Sequence, residues 1–317
     1  MIGSLIKQLV AALGRYFRHH ARRTLVGNDG SGRPPMPESP SPAPTTKAGA
    51  PASPITAALI DEGLDTALTR PVQWSRRRID EPHEEVTSNS LYQLWTAIPG
   101  GLKWTHYFEA YQSIFGPIRT RPLRILEIGV WHGASLRLWR QYFENPKTVI
   151  VGVDLLSECL KYDAPAEGVH IRVGSQADVD FMRRVVDEFG PFDLIIDDGS
   201  HRSSHIIASF NQLFLAALND TGIYFVEDLH TNYWHPWRDS KSSFLDICKE
   251  LIELMHAHYR AAPQDDFLVN SPSHQPIAAL EVPLISTLIK EIRVFDSMAA
   301  IFKTRRSYIP HTLSTPD

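Results

Sequence analysis

Short apolar runs alternate with longer amphipathic stretches from about residue 121 onward. The runs predict strands at Arg124–Ile128, Val149–Val153, His170–Val173, Asp193–Ile196 and Ile223–Val226. Apolar residues at helical spacing between them predict helices at Ala134–Phe143, Asp178–Glu188 and Ser203–Leu218. This alternation is typical of βαβ units around a parallel sheet.

The flanking segments extend the pattern. Aromatic residues between positions 91 and 115 predict two helices, separated by a break at Pro99-Gly100-Gly101. A further helix is predicted at Ser243–Tyr259, and a closing hairpin at Arg293–Asp296 and Ala299–Lys303. We therefore expect a doubly wound, Rossmann-like α/β domain over residues 121–317, with a helical cover over residues 61–120.

Residues 1–27 have a different character. They contain basic side chains and no acid, and their apolar residues recur at helical spacing, which predicts a basic amphipathic helix. Such a helix could lie on an anionic membrane surface, or it could dock on its own domain or on a partner. Residues 28–60 are rich in Pro, Ser and Ala, a composition that predicts a disordered linker.

Composition excludes several classes of protein. The chain has 317 residues, 43% of them hydrophobic, so a sizeable core is available. A formal charge of −4 and a pI near 6.4 argue against nucleic acid as a partner. Two cysteines are too few for a disulfide scaffold and suit the reducing cytosol. No apolar stretch is long enough to span a bilayer, so we expect a cytoplasmic protein, with membrane contact at most through residues 1–27.

A glycine-containing loop follows the first predicted strand of the sheet. Gly129 and Gly133 would let the backbone approach a cofactor closely, although a tight turn without a ligand has the same pattern. Asp154 follows the next strand, where a carboxylate can accept the hydroxyls of a ribose or cap the following segment. Together, the loop and Asp154 favour a cofactor that contains adenosine.

Acidic residues end two further strands. Asp197 and Asp198 follow one strand, and Glu227 and Asp228 follow the next. Since ligands bind at the carboxyl ends of the strands in open α/β sheets, we expect these carboxylates to share one crevice. Clustered oxygen ligands suit Mg²⁺, which can lower the pKa of a bound hydroxyl. His201 could then take the proton of that hydroxyl.

Five segments carry a resemblance to a known family: LEIGVWHGASL, GVDLL, GSQADVDF, FDLIIDDGSH and GIYFVEDLHTNYW. They resemble class I S-adenosylmethionine-dependent methyltransferases, and most of all the metal-dependent O-methyltransferases of macrolide sugars, the mycinamicin and demethylmacrocin group. The resemblance covers roughly residues 90–235. It implies a seven-stranded sheet whose last strand is antiparallel.

The resemblance also implies a set of site residues. Those implied to bind S-adenosylmethionine are Glu127, Gly129, Gly133, Ser135, Asp154, Ser175, Gln176 and Asp197. The implied Mg²⁺ ligands are Asp198, Glu227 and Asp228, with His201 as the general base. Ser175 stands where the family usually has an acid, which leaves adenine recognition open. Trp131 could pack on the cofactor or on a neighbouring helix.

The implied activity is methyl transfer to a hydroxyl of a sugar or glycoside, a small-molecule or glycan substrate. The family also allows for a homo-oligomer. Two alternatives stay open at this point. One is an enzyme similar to cephalosporin hydroxylases on the same fold. The other is a non-catalytic protein of this cofactor-binding fold that is tethered through the helix at residues 1–27.

Overall fold

The computed structural model describes residues 87–310 and 312, together with the isolated positions 68 and 72. Residues 87 onward belong to a compact unit that spans Arg77–Asp317. The predicted basic helix at 1–27, the predicted linker at 28–60 and most of residues 61–86 lie outside the described residues.

A single sheet of seven strands forms the centre of this unit. The strands are β1 (Arg124–Ile128), β2 (Val149–Asp154), β3 (Val169–Val173), β4 (Phe192–Asp197), β5 (Leu218–Val226), β6 (Ile289–Phe295) and β7 (Met298–Lys303). Their order across the sheet is β3-β2-β1-β4-β5-β7-β6. Strands β1 to β5 are parallel, whereas β7 runs antiparallel to both of its neighbours. The predicted fold class and the antiparallel last strand are therefore confirmed.

The α-helices of the described residues pack on both faces of the sheet. They are α1 (Ser90–Thr96), α2 (Tyr107–Phe115), α3 (Ala134–Tyr142), α4 (Val179–Phe189), α5 (Ser203–Ala216), α6 (Phe244–Met255) and the short α7 (Gln264–Phe267). None of these described helices combines the length and the hydrophobicity that a bilayer-spanning segment requires.

Two predicted helices extend two or more residues beyond the ends of the observed ones. The helix predicted to reach Leu218 ends at Ala216, because Leu218 pairs with Phe192 and begins β5. The helix predicted to reach Tyr259 ends at Met255, and a 3-10 turn follows at Ala257–Arg260. The second predicted aromatic helix includes Trp104, whereas the observed helix α2 begins three residues later, at Tyr107.

An aromatic layer fixes α2 against the sheet. Tyr111 and Phe115, one turn apart on α2, are stacked at 5.6 Å between ring centroids, and both meet Trp139 of α3 edge-to-face. Both rings also contact Phe225 of β5. Large aromatic side chains bury on the order of 150–250 Å² of surface each, so this layer holds α2 firmly against the sheet. As a result, the N-terminal end of α2 lies over the carboxyl end of β5.

Candidate active site

The carboxyl ends of β1, β4 and β5 carry the candidate residues side by side. In the sheet, Ile128 is level with Asp197, and Asp197 is level with Val226. The hydrogen-bond ladder continues one step beyond the strands, since the amide of Asp198 donates to the carbonyl of Ile128 and the amide of Glu227 donates to that of Asp197. The parallel register thus brings the glycine loop and both acidic pairs to one edge, as the sequence predicts.

The two glycines of the loop are required by the protein's own packing. Gly129 has φ +98°, and a Cβ there would collide with the backbone of Asp198. Gly133 has φ +65°, and a Cβ there would press on the ring of Tyr162. These conformations are costly for other residues. Contact of the two glycines with a cofactor stays a prediction.

Asp154 holds the glycine loop in place. Its Oδ2 accepts hydrogen bonds from the amides of Val130 and Trp131, each at 2.8 Å, and its Oδ1 accepts one from Leu156 at 2.9 Å. A carboxylate that accepts several backbone N–H groups is strongly positioned. These hydrogen bonds show that Asp154 positions the glycine loop. Its predicted contact with a ribose stays a prediction.

Glu127 is a buried carboxylate with one unpartnered oxygen. Its Oε1 accepts a hydrogen bond of 2.9 Å from Nε1 of Trp139, whereas Oε2 has no partner among the described residues. Burial raises the pKa of Glu127 to about 7, against the opposing charge of Lys103. Ser135, in the first turn of α3, lies beside this carboxyl and is also buried. An unpartnered buried oxygen is costly, so Glu127 fits a donor group such as the amino group of S-adenosylmethionine.

Gln176 and Asp197 bind each other. Gln176 Nε2 donates to Asp197 Oδ1 at 3.0 Å and to Ser209 Oγ at 2.9 Å, and Tyr224 donates to the other Asp197 oxygen. Burial raises the pKa of Asp197 to about 6, against the hydrogen bonds from Gln176 and Tyr224. Ser175 uses its hydroxyl to accept a bond from the amide of Ala177. Cofactor contacts of Ser175, Gln176 and Asp197 therefore stay predictions.

Asp198, His201 and Asp228 form a candidate metal site. One ligand atom from each lies within 4.8 Å of the others, and His201 Nε2 is 3.6 Å from Asp228 Oδ2. Glu227, the third predicted ligand, is not one of these three residues; 1% of its side chain is exposed, and its Oε1 has no hydrogen-bond partner among the described residues. A cation would satisfy that oxygen, and carboxylate oxygens are the ligands that Mg²⁺ prefers. The residues present thus fit the predicted metal.

The charges in this cluster act on one another. Burial, and after it the charge of Asp198, raise the pKa of Glu227 to about 8. Burial also acts to raise the pKa of Asp228, but the charge of His201 and the hydrogen bond from Tyr107 outweigh it and lower that pKa below its usual value. Asp228 is therefore the group of the cluster best suited to stay ionised beside the histidine.

The backbone at two of these residues is left-handed. His201 has φ 57° and Asp228 has φ 56°, a region that costs non-glycine residues roughly 1–3 kcal/mol. The buried hydroxyl of Thr231 lies 3.0 Å from the carbonyl oxygen of His201 and 2.7 Å from that of Asp228. Its single hydroxyl hydrogen can be donated to either carbonyl, so Thr231 bridges the two strained positions through a shared hydrogen bond. Thr231 is not among the residues predicted for the site, although it follows the acidic pair within the EDLHT segment.

Lys103 is a further residue of the site that is absent from the predicted set. Its Nζ lies 2.5 Å from Asp198 Oδ2 and 2.5 Å from Glu227 Oε2, and only 6% of its side chain is exposed. Burial opposes its charge, but the two carboxylates raise the pKa of Lys103 well above its ordinary value. A signal was present, because Lys103 is the only Lys or Arg between Leu91 and Ile118.

Tyr107 reaches the cluster from the start of α2. Its hydroxyl donates to Asp228 Oδ1 at 2.6 Å and lies 2.9 Å from Oγ of Ser297, in the β6–β7 turn. Ser297 Oγ also accepts a bond from the amide of His230 and lies 2.5 Å from Nδ1 of that histidine. The aromatic pattern predicts Tyr107 only as part of a helix, so its place in the site is a finding of the structure.

Exposed aromatic side chains border the cluster. The ring of His230 lies 5.3 Å from that of Trp104 and 4.5 Å from that of Trp234, measured between centroids. Trp104 and Trp234 are 44% and 41% exposed. We call Trp104, His230 and Trp234 the aromatic rim. Their apolar faces suit a ligand that joins a sugar ring to an apolar group.

Two curated relatives of the chain are O-methyltransferases. The chain is 36% identical over 196 residues to 8-demethyl-8-alpha-L-rhamnosyl tetracenomycin-C 2'-O-methyltransferase of Streptomyces olivaceus. The matched region covers 56% of this chain and 50% of that protein. It is 35% identical over 195 residues to demethylmacrocin O-methyltransferase of Streptomyces fradiae, and this match covers 57% of this chain and 46% of that protein. The chain therefore spans about half the length of the curated relatives it matches. No family model matches it.

Among solved structures, the chain is similar to MycE, a methyltransferase of the mycinamycin biosynthetic pathway, in complex with Mg, SAH and mycinamycin VI. The TM-score is 0.55 at 26% identity, over 71% of this chain and 56% of MycE. The sheet and its strand-end site thus define a methyltransferase fold of the Rossmann-like class. Within that class the chain is similar to macrolide sugar O-methyltransferases, which confirms the resemblance carried by its motifs.

Proposed function

We propose that this protein is a Mg²⁺-dependent O-methyltransferase that transfers a methyl group from S-adenosylmethionine to a hydroxyl of a sugar within a glycoside. The observation that carries the proposal is the cluster of Asp198, His201 and Asp228 at the strand ends, with ligand atoms within 4.8 Å of one another. The similarity to sugar O-methyltransferases supports the same reaction class.

His201 is the general base in this proposal. Its Nε2 takes the proton of the acceptor hydroxyl while the hydroxyl oxygen gains the methyl group. Asp228, at 3.6 Å, stabilises the imidazolium that forms, and Tyr107 and Thr231 hold Asp228 in the required orientation. The strained backbone of His201 and Asp228 is consistent with a site shaped for a reaction rather than for stability.

The bound groups supply the remaining chemistry. When bound, S-adenosylmethionine would supply an electrophilic methyl group, and Mg²⁺ would neutralise the carboxylates and lower the pKa of the sugar hydroxyl. Asp198, Glu227 and Asp228 would hold the metal, and Glu127 would receive the amino group of the cofactor through its unpartnered Oε2. The aromatic rim would orient the acceptor, which favours a sugar attached to an apolar aglycone.

The test begins with calorimetric titration of the full chain with S-adenosylhomocysteine, with and without Mg²⁺. We expect micromolar binding, and then transfer of a labelled methyl group from S-adenosylmethionine to a rhamnosyl glycoside, with loss of transfer in chelator. Binding without transfer to any hydroxyl acceptor would favour another reaction on the same fold, such as that of cephalosporin hydroxylases. No binding under either condition would favour the non-catalytic, tethered alternative.

A further inference from the structure

Lys103 binds two of the carboxylates that would hold a metal ion. Its ammonium nitrogen lies 2.5 Å from one oxygen of Asp198 and 2.5 Å from one oxygen of Glu227. We propose that Lys103 is a tethered counter-ion of the metal site, which a divalent cation must displace from Asp198 and Glu227 in order to bind there. This inference rests on the metal dependence within the proposed function.

The charge of the cluster explains why a counter-ion is needed. Asp198 follows β4, and Glu227 and Asp228 follow the neighbouring strand β5. Glu227 is almost fully buried. A buried charge without a partner is strongly destabilising. Lys103 supplies that partner from within the chain, so the acidic site can stay folded when it holds no metal.

The ammonium and a divalent cation are competitors rather than co-ligands. A lysine ammonium is a cation with three donors and no acceptor, so it cannot itself coordinate a metal. Lys103 contacts one oxygen of each carboxylate, Asp198 Oδ2 and Glu227 Oε2, and Glu227 Oε1 has no partner among the described residues. Mg²⁺ bound to the same two carboxylates at about 2.0–2.1 Å would still lie close to the ammonium, which places two positive charges against each other. We therefore expect metal binding at Asp198 and Glu227 to drive the ammonium away from both.

The segment that carries Lys103 allows such a displacement. Residues 101–104 have no regular secondary structure and connect α1 to α2. Gly101 packs against the ring of Trp95, whereas Leu102 and Trp104, on either side of Lys103, are 52% and 44% exposed. Trp104 follows Lys103 directly and contacts the ring of His230. Release of Lys103 is therefore expected to move Trp104 within the aromatic rim, which couples the metal to the surface proposed to bind the acceptor.

The first test measures Mg²⁺ affinity by calorimetry on the full chain. Lys103→Met keeps the length of the side chain and removes its charge, and we expect it to bind Mg²⁺ at least roughly tenfold more tightly than the wild type, because the competing cation is gone. Lys103→Arg keeps the charge and should not bind more tightly than the wild type. Lys147→Met is the matched control, because Lys147 is an exposed lysine outside the metal site. Its Mg²⁺ affinity should equal that of the wild type. Equal or weaker affinity in Lys103→Met would overturn the proposal.

A second test does not depend on Lys103→Met being folded. Mg²⁺ added to the wild-type chain should change its tryptophan emission, and the change should be lost in Trp104→Phe. Metal binding with no change in emission in the wild type would show that the segment stays in place, and would contradict the displacement.

The two proposals fail in different ways. S-adenosylhomocysteine affinity, measured on the same samples, reports on the cofactor alone. Equal Mg²⁺ affinity in the wild type and Lys103→Met would overturn the displacement and leave the methyltransferase proposal intact. No Mg²⁺ binding by any variant would overturn both the displacement and the metal dependence of the reaction.

Discussion

Asp197 and Asp198 are neighbours in the chain but lie in two very different regions. Asp197 belongs to a closed network, in which Gln176 and Tyr224 satisfy both of its carboxylate oxygens. Asp198 belongs to an open cluster, in which Lys103 is its cationic partner. Burial and the negative charge of Asp228 both act to raise the pKa of Asp198 there. Successive residues at a strand end point to opposite sides of the sheet, so one step along the chain separates the two. A carboxylate whose oxygens are all satisfied stabilises the fold, whereas one held among like charges is poised to bind.

The largest expected effect lies in the open cluster. His201→Ala should reduce methyl transfer by about 10²–10⁴-fold, the usual contribution of a general base. The other imidazole beside Asp228, that of His230 at 3.9 Å, cannot replace it readily, because the same nitrogen already lies 2.5 Å from Ser297 Oγ. Calorimetry should show unchanged S-adenosylhomocysteine affinity. His205→Ala is the control, since His205 binds Ser200 rather than the acidic residues and should retain transfer. Wild-type turnover in His201→Ala would remove His201 from the role of base.

The two aspartates can be separated by one pair of variants. Asp197→Ala should lower the free energy of unfolding by about 1–3 kcal/mol, because it leaves buried donors without an acceptor. Its Mg²⁺ affinity should stay unchanged. Asp198→Ala should have the opposite profile, with a large loss of Mg²⁺ affinity and a small change in stability. Denaturant unfolding and metal calorimetry on both variants check this, and matching profiles for the two would contradict the comparison.

Thr231 links the acid and the base of the cluster through their backbones. Thr231→Val keeps the shape of the side chain and removes its hydroxyl, and we expect a loss of roughly 0.5–1.5 kcal/mol in the free energy of unfolding. The kcat for methyl transfer should fall several-fold while cofactor affinity is retained, since His201 and Asp228 lose their common anchor. Thr287→Val removes an exposed hydroxyl far along the chain and serves as the control. A loss of stability without a fall in kcat would assign Thr231 a purely structural role.

The smallest effect concerns a carboxylate outside both regions. Asp246 and Ser243 form a capping box at the start of α6, and the bonds from the Ser243 backbone and side chain lower the pKa of Asp246 from 3.8 to about 2. A lowered folded-state pKa stabilises the protein above pH 3.8, and this contribution is lost as the pH falls through about 2. Asp246→Asn should therefore cost about 1 kcal/mol at neutral pH and less at pH 2. Thermal melts of both proteins at the two pH values check this, and a pH-independent difference would contradict it.

Much of the sheet and of the site could be predicted because the signals are local. The apolar runs place the strands to within a few residues, and acids that directly follow parallel strands must meet at one edge. That rule brings Asp198 and Asp228 together, and the structure adds His201 to the same group.

The remaining parts of the site depend on contacts that are distant in sequence. Lys103 is 95 residues from Asp198 and 124 from Glu227, and no periodic pattern indicates which acid a lone lysine will reach. Likewise, the sequence places Asp154 at a strand end, but only the three-dimensional path of the glycine loop gives its carboxylate three backbone amides. Side-chain pairing across the fold decides such roles.

The turn between β6 and β7 has a consequence for the order in which the site can form. Ser297 contacts the Tyr107 hydroxyl and the His230 side chain, and its carbonyl accepts the amide of Leu229. A ribosome completes this turn long after it has made the acidic residues. Strand β7 must then insert between β5 and β6 before the turn can reach the site. A nascent chain that ends before this hairpin would carry every acid and base of the cluster and still lack the support that orients them, so activity should arise only after the last strands of the sheet have paired.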